Sequence, residues 1–315
     1  MSRPSPSRLR PSRLKTYSLI GRKSKVKLEV FGSAPDPGAD IAGFIDSLPD
    51  ILAGRDFRRL VALLGAARDG GRPVILGMGA HVIKVGLSPI IIRLMKEGWV
   101  TALAMNGAGV IHDFEIAYAG QTSEDVAVQL EAGAFGMARE PGEYLNRAIR
   151  SGASRGQGLG EAVGRMIAQS RFPHKSLSLL ATAHELGLPA TVHVAIGTDT
   201  IHFHAGASGA ALGQTSLRDF FVLCSVVERL EGGGVYLNVG SAVILPEVFL
   251  KALTYVRNQG RPLRNFSTAV FDFIQHYRPA QNVIARAVGK KGRGFYFIGH
   301  HEIMVPLLAA ALRSR

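Results

Sequence analysis

Short apolar stretches that end in glycine-rich turns and lead into helical patterns recur along this chain. Arg72–Gly77 and Trp99–Met105 have the composition of buried strands, and each is followed by glycines and then by a helical stretch, Leu87–Glu97 and one that begins at Phe114–Tyr118. Strands without polar alternation, separated by helices, are typical of parallel sheets that are covered on both faces. The repeat therefore predicts an α/β fold with a doubly wound, mainly parallel sheet and helices on both faces.

The same periodicities predict the remaining elements. Further strands are expected at Val26–Phe31, Ala190–Ile196, Asn265–Phe273 and Gly294–Ile298. The stretch Ser151–Gly160, rich in glycine and serine, predicts a mobile connection. Helices are expected at Asp40–Leu48, Asp56–Asp69, Glu143–Arg150, Leu159–Gln169, Ser176–Leu186, Leu217–Leu230, Pro246–Asn258 and Ile303–Arg313.

Composition limits the class of protein and its compartment. Apolar residues make up 47% of the 315 residues, which excludes a disordered chain. No uncharged apolar run reaches the roughly 18–20 residues of a membrane span, so no membrane insertion is expected. The single cysteine, Cys224, falls in an apolar helical pattern; it predicts a core residue and fits a reducing, cytoplasmic environment.

Positive charge is concentrated at the amino terminus. The formal net charge is +13, but residues 1–27 hold nine Lys or Arg and no acid, leaving 28 basic against 24 acidic residues in the rest. We expect residues 1–27 to form a flexible basic arm and residues 28–315 to form a single domain. Contacts of the arm with an anionic partner, such as RNA, a membrane surface or a neighbouring subunit, would be weak, and a nucleic-acid function is not expected.

In a doubly wound sheet, ligands bind beyond the carboxyl ends of the strands. The chain has neither a GxGxxG run in its first strand–helix turn nor a P-loop, so an ordinary dinucleotide or nucleotide motif is absent. A dinucleotide site with other glycine spacing, or simply tight strand–helix packing, remains open. The candidate cofactor-binding residues are Gly77, Gly79, Ala80, His81, Asn106, Gly107, Ala108, Gly109, Gly233, Gly234 and His300.

Histidines are concentrated in the segment after the strand at Ala190–Ile196. His202 and His204 would share one face if this segment were extended. Imidazoles can transfer protons near neutral pH or bind zinc or iron. Because the spacing matches no HExxH or related motif, no metal ligand is predicted; a metal-dependent hydrolase stays open as an alternative.

Several of these segments resemble the deoxyhypusine synthase family. Asn106-Gly-Ala-Gly-Val-Ile-His-Asp113 is similar to the family's Thr-Ala-Gly-Gly-Val-Glu-Glu-Asp, and Leu230-Glu-Gly-Gly-Gly-Val235 resembles its Leu-Gly-Gly-Gly-Val. Thr268–Asp272 and Arg278–Pro279 match parts of its late motif. The resemblance runs from about Arg72 to Leu308 and implies a Rossmann-like NAD-binding fold and a homotetramer.

The chain departs from that family at its catalytic positions. Where the family has Ala-Val-Ser-Trp-Gly-Lys, this chain has Asn282-Val-Ile-Ala-Arg-Ala287, so the imine-forming lysine becomes Ala287. Arg286 beside it stays protonated and cannot form an imine. Arg286 would repel a polyamine but would bind a carboxylate, which favours an amino-acid substrate. His300 replaces an aspartate of the last nucleotide turn.

The resemblance implies an enzyme that uses NAD to oxidise a small amine or amino acid to an imine, followed by deamination or aminoalkyl transfer. A shorter likeness, at Asn106–Glu115 and Glu140–Ile149, is to an NAD-dependent ornithine cyclodeaminase domain. Alternatives are a genuine deoxyhypusine synthase, which transfers an aminobutyl group from spermidine to a protein lysine, and a non-catalytic NAD-binding protein. The candidate catalytic residues are His112, Asp113, Asp199, His202 and Arg286, with Glu115 as a further carboxylate for a cationic substrate.

Overall fold

Six parallel strands form one sheet in a computed structural model that describes residues 10–288 and 292–314. The strand order is β3-β2-β1-β4-β5-β6, with every neighbouring pair parallel. This order is that of a Rossmann-like doubly wound sheet, which confirms the predicted fold class. The strands are β1 (Val74–Met78), β2 (Ala102–Asn106), β3 (Ala190–His193), β4 (Val235–Val239), β5 (Ser267–Asp272) and β6 (Arg293–Ile298).

Twelve α-helices are present in the described residues, and most of them cover the two faces of the sheet. The first six are α1 (Ile41–Ser47), α2 (Leu52–Asp69), α3 (His81–Lys84), α4 (Ser88–Lys96), α5 (Gly107–Ala119) and α6 (Val126–Glu131). The other six are α7 (Arg139–Ser154), α8 (Leu159–Ala168), α9 (Leu179–Glu185), α10 (Gly209–Glu228), α11 (Ile244–Asn258) and α12 (His301–Arg313). Short 3-10 turns lie at Pro11–Arg13, Leu28–Val30, Lys175–Leu177 and Thr200–Phe203, and a π-helix at Pro279–Ala285.

Alternating side chains of the strands divide the core between the two faces. Ile75 and Tyr236 pack with α10 and α11, where the Tyr236 and Phe249 rings stack with centroids 3.7 Å apart. Leu76 and Leu237 belong to the opposite core with residues of α2, α4 and α12. Both faces are buried, which explains why the strand sequences are continuously apolar.

Two sequence-based expectations about local structure are wrong. Val26–Phe31 contains the 3-10 turn Leu28–Val30 instead of a strand, because no neighbouring strand offers it hydrogen bonds. Ser151–Gly160 is largely ordered: α7 continues to Ser154, and α8 begins at Leu159. The glycines there are needed for close packing, since a Cβ on Gly158 would collide with the Asp219 carboxylate and one on Gly160 with the Ala190 carbonyl.

The amino-terminal segment makes few contacts with the rest of the chain. From residue 10 to residue 40 the backbone is mostly irregular and the side chains are exposed, apart from Val30. Residues 1–9 of the predicted basic arm lie outside the described part. Within the described residues, every helix is too short or too polar to cross a bilayer.

Candidate functional site

The carboxyl edge of the sheet is the place where the predicted site residues were expected to meet. The order of strands reverses between β1 and β4, and ligands of doubly wound sheets bind at such a reversal; we call this place, beyond Met78 and Val239, the β1–β4 crevice. At this point Gly79 donates its N–H to the Val239 carbonyl at 2.9 Å, and a Cβ on Gly79 would collide with the Gly240 carbonyl. Glycine at 79 is thus required by the close approach of two strand ends.

Three predicted cofactor-binding glycines lie elsewhere. Gly77 is inside β1, and a Cβ there would collide with the hydroxyl of Tyr236, so this glycine serves strand packing. Gly233 and Gly234 precede β4 and therefore lie at the amino edge of the sheet, where Gly233 donates to the Asn265 carbonyl at 2.8 Å. The expectation that Gly233 and Gly234 share a site with Asn106–Gly109 is incompatible with this placement, because parallel strands carry their amino and carboxyl ends on opposite edges.

Helix α5 begins directly after β2, and its first turn is already occupied by side chains. Asn106 accepts a hydrogen bond from the Gly109 N–H at 3.1 Å, as an N-cap residue does. The Asp199 carboxylate lies against Gly107, where no Cβ could fit. A carboxylate of the chain itself thus takes the position that an anionic ligand would otherwise favour at this helix start.

Asp199 and His202 form a buried pair beside Gly107. The Nδ1 atom of His202 accepts from the backbone N–H groups of Gly197 (3.0 Å) and Asp199 (3.3 Å), so its Nε2 carries the proton and lies 3.6 Å from Asp199 Oδ2. Neither Oδ2 nor Nε2 has a hydrogen-bond partner. Burial raises the pKa of Asp199 and outweighs the opposing effect of His202.

The predicted common face of His202 and His204 is wrong, because this segment is a 3-10 turn instead of an extended strand. His204 bonds to the Gly136 carbonyl through Nε2 at 2.8 Å and packs over Gly142. In the described residues, no group of three or more His, Cys, Asp or Glu side chains is arranged to hold a metal ion.

A cavity of about 200 Å³ opens next to Asp199 and the start of α5, and we call it the acidic cavity. Its ionisable lining consists of three carboxylates, one lysine and one histidine. The cavity lies over the β1–β3 half of the carboxyl edge, with the α6 region on its far side. The lining residues are Lys84, Ala108, Ile111, His112, Glu115, Ser123, Glu124, Val126, Phe135, Thr198, Asp199 and Thr200.

His112 is oriented by a short hydrogen-bond chain in this cavity. The Thr122 hydroxyl donates to Glu115, so its oxygen accepts from His112 Nδ1, 2.6 Å away. The neutral imidazole then keeps a free lone pair on Nε2. Burial raises the pKa of Glu115, but the hydrogen bonds from His112 and Thr122 outweigh burial and leave that pKa below its ordinary value. Glu115 is therefore ionised at neutral pH.

Asp113, the neighbour of His112, has a structural role. Its carboxylate is fully buried and accepts hydrogen bonds from the Ser178 hydroxyl and from the N–H groups of Leu179 (2.7 Å) and Leu180 (3.2 Å). Asp113 thus caps the start of α9, and burial raises its pKa to about 6. Its acceptor atoms are taken up by the chain, which argues against the predicted contact with a cationic substrate.

The other half of the carboxyl edge holds His301, Asp272 and His276, which were not among the candidate residues chosen from the sequence. His300 has an exposed side chain, whereas His301 is buried, and its ring lies 5.6 Å from that of His81. His301 donates from Nε2 to the Phe271 carbonyl at 3.2 Å, which leaves Nδ1 as a buried acceptor without a partner. Burial is the main cause that lowers the pKa of His81, and a proton on His301 would lower it further. The doublet His300-His301 was visible in the sequence, but which ring turns inward was not.

Asp272 and His276 extend this cluster beyond β5, with His276 Nε2 3.7 Å from Asp272 Oδ2. Arg286 is farther along the same connection and exposed, and it donates to the Asn282 side chain at 2.8 Å. Arg286 does not line the acidic cavity, so the structure does not bring it together with Asp199 or His112 within one chain. Ala287, which the sequence resemblance aligns with the lysine of deoxyhypusine synthases, is fully buried.

Because His193, at the end of β3, is buried, we expect the free energy of unfolding to depend on pH. Burial lowers its pKa from 6.5 to about 4, and its Nε2 bonds to Thr191 Oγ1 at 3.0 Å. Because the pKa is depressed in the folded state, the stability that depends on the neutral ring is complete above about pH 6.5 and is lost as pH falls towards 4. Over this range we expect wild type to lose about 3 kcal/mol more than His193→Gln.

The measurement is denaturant unfolding of both proteins at several pH values. Taking the difference between wild type and variant removes the contributions of the buried carboxyls Asp113 and Asp219, whose raised pKa values act in the opposite direction. A difference that does not change with pH would contradict the prediction.

Comparison with known proteins shows the fold. No family model and no curated protein matches the sequence. A protein of Entamoeba histolytica, provisionally assigned as a deoxyhypusine synthase, has a similar structure (TM-score 0.52, 10% identity, 90% of this chain and 96% of that one). So does a conserved protein of Methanococcus maripaludis S2, provisionally assigned to the LOR/SDH class (TM-score 0.52, 12% identity, 82% and 69%).

A third similar structure is that of AgrE in a ternary complex with ornithine and NAD+ (TM-score 0.50, 14% identity, 82% of this chain). This chain spans about a third of the length of AgrE, 33%. At these identities the three structures share a fold with this chain, and function has to be argued from the site itself.

Proposed function

We propose that this chain is an NAD-dependent enzyme that oxidises the amine-bearing carbon of a small amino acid or amine to an imine, followed by deamination or aminoalkyl transfer. The observation that carries the proposal is the acidic cavity, where Asp199, Glu115 and Glu124 face one space beside the carboxyl ends of the strands. Carboxylates that converge on a cavity suit an ammonium group. The fold shared with AgrE, which forms a ternary complex with ornithine and NAD+, supports the same class of chemistry.

The residues of the β1–β4 crevice fit a dinucleotide better than the start of α5 does. His301 Nδ1 is a buried acceptor without a partner, as a ribose hydroxyl would require. Helix α12 begins after His300 with no side-chain cap, so its first N–H groups are open to a phosphate. NAD, when bound, supplies a hydride acceptor. We propose His81, Gly79, Gly240 and His301 as the residues that hold it.

Helix α3 connects the crevice to the acidic cavity. His81 lies against His301 on the crevice side, and Lys84, three residues later, lines the cavity. Side chains three apart on a helix are neighbours, with Cβ atoms about 5–6 Å apart. A cofactor in the crevice and a substrate in the cavity would therefore meet at α3.

Three residues of the acidic cavity have surroundings that suit a role in substrate binding or proton transfer. Glu115 is kept ionised by His112 and Thr122 and would bind the ammonium group, with Asp199 as a second carboxylate of the lining. His112, with its free Nε2, would take the proton that leaves the amine.

Calorimetry with NAD, followed by absorbance of NADH on addition of ornithine, arginine and aliphatic diamines, tests the proposal. We expect NAD to bind and at least one amine to produce NADH absorbance. Binding of NAD without turnover of any amine would favour a non-catalytic NAD-binding protein, and no binding would exclude an NAD enzyme. Transfer of label from spermidine to a protein lysine would identify a deoxyhypusine synthase instead.

Asp199→Asn is expected to raise the KM for the amine by about 10- to 100-fold, because a buried charge-assisted hydrogen bond contributes about 1.5–3 kcal/mol. Asparagine keeps one side-chain oxygen for the cap of the Thr200–Phe203 turn, so the fold is retained. Steady-state kinetics measure the effect, with Asp69→Asn at the exposed end of α2 as the matched control. An unchanged KM would remove Asp199 from the site.

A further inference from the structure

A second cavity, of about 330 Å³, lies between helices α7 and α8, apart from the acidic cavity and the β1–β4 crevice. We call it the α7–α8 cavity. Its size falls within the range of small-molecule sites. Helix α7 contributes Tyr144 and Arg147, α8 contributes Arg165 and Met166, and the chain after α8 contributes Phe172.

The charge of the α7–α8 cavity is entirely positive. Its only charged lining residues are Arg147 and Arg165. In the part of the chain that the structure describes, neither guanidinium takes part in an ion pair, since the arginine ion pairs involve other residues. Arg147 is exposed and Arg165 is half-buried, and an anion between the two guanidinium groups would be attracted by both.

Arg150 on the same helix differs in this respect. Its guanidinium donates to the Gly206 carbonyl and so connects α7 to the chain before α10. Arg147, in contrast, lies over the Tyr144 ring, 4.6 Å from the ring centroid, and donates to no protein oxygen among the described residues. Its N–H groups are therefore available to a ligand.

The apolar lining of the cavity includes two aromatic rings. The rings of Tyr144 and Phe172 have centroids 5.6 Å apart and planes at 76°, and both line the cavity. Phe114 and Tyr118 pack behind these rings, which fixes the wall in place. Ring faces beside two guanidinium groups offer contacts to a ligand with a planar part and an anionic end.

We propose that the α7–α8 cavity binds a small ligand in which an oxyanion, either phosphate or carboxylate, is attached to a planar ring. The guanidinium groups of Arg147 and Arg165 bind the oxyanion, and the rings of Tyr144 and Phe172 contact the planar part. This site is independent of the proposed NAD chemistry, and it would exist even if the acidic cavity bound no amine.

The test is calorimetry at low ionic strength with three probes: inorganic phosphate, benzoate and phenyl phosphate. We expect phenyl phosphate or benzoate to bind, and Arg147→Gln/Arg165→Gln to weaken that binding by about tenfold or more, as loss of charge-assisted hydrogen bonds predicts. Added salt should weaken binding to wild type. Arg155→Gln, an exposed arginine just after α7 that does not line the cavity, is the matched control and should bind as wild type does.

The three probes also distinguish recognition of the oxyanion from recognition of the planar ring. Tyr144→Leu should reduce the advantage of phenyl phosphate over inorganic phosphate while the weaker binding of phosphate remains. Comparison of benzoate with phenyl phosphate shows which oxyanion the arginines prefer. Absence of binding by all three probes, or equal affinity of wild type and the double variant when circular dichroism shows both folded, would overturn the proposal.

Discussion

Asp219→Ala is expected to lower the free energy of unfolding by about 4 kcal/mol, because it leaves buried N–H groups without acceptors. The Asp219 carboxylate, 1% exposed, accepts from Gly160 N–H at 2.9 Å and from Val192 N–H at 2.8 Å, and so connects α10 to the start of α8 and to β3. Burial raises its pKa to about 7. Denaturant unfolding at about pH 8, where the carboxylate is ionised, measures the loss.

Two variants make this result specific. Asp219→Asn can keep one oxygen at the position of Oδ2, which accepts from both N–H groups, but it is a weaker, uncharged acceptor, so we expect an intermediate loss of about 2 kcal/mol. Glu228→Ala, at the exposed carboxyl end of the same helix, removes only a surface ion pair with Arg261 and should cost less than about 1 kcal/mol. Equal stability of Asp219→Ala and Glu228→Ala would show that the buried carboxylate contributes nothing.

His112→Gln is expected to lower kcat for amine oxidation by about 100-fold or more, because glutamine cannot take up a proton. The variant should leave the affinity for NAD unchanged, since His112 lies in the acidic cavity and not in the β1–β4 crevice. Steady-state kinetics and calorimetry with NAD separate the two effects. The size of the loss follows from the usual contribution of a positioned general base.

Thr122→Val tests the orientation of that imidazole. Valine removes the hydroxyl that accepts from His112 Nδ1 and donates to Glu115, so we expect a smaller loss, about tenfold in kcat, with a changed pH profile. His184→Gln, an exposed histidine outside the acidic cavity, should be as active as wild type. Full activity of His112→Gln with any substrate that wild type oxidises would exclude His112 as the base.

Part of the candidate site could be predicted from the sequence, because whether a residue precedes or follows its strand decides which edge of the sheet it occupies. Residues that follow a strand lie at the carboxyl edge, and His81, His112 and Asp199 were chosen for that reason. Asp113 met the same rule but points into the protein, where it caps α9. Asp113 follows His112 directly, and successive side chains of a helix differ in direction by about 100°. His112 therefore faces the cavity, whereas Asp113 faces the core.

The pattern of apolar strands and glycine turns by itself determined the doubly wound sheet, because strands that are buried on both faces must be apolar along their whole length. The residue at position 287, an alanine that cannot form an imine, is likewise a matter of residue identity. The tertiary structure alone decided which of two adjacent histidines faces the crevice and that Arg147 and Arg165 face one cavity. These facts depend on how distant segments pack and on side-chain direction, which local periodicity does not specify.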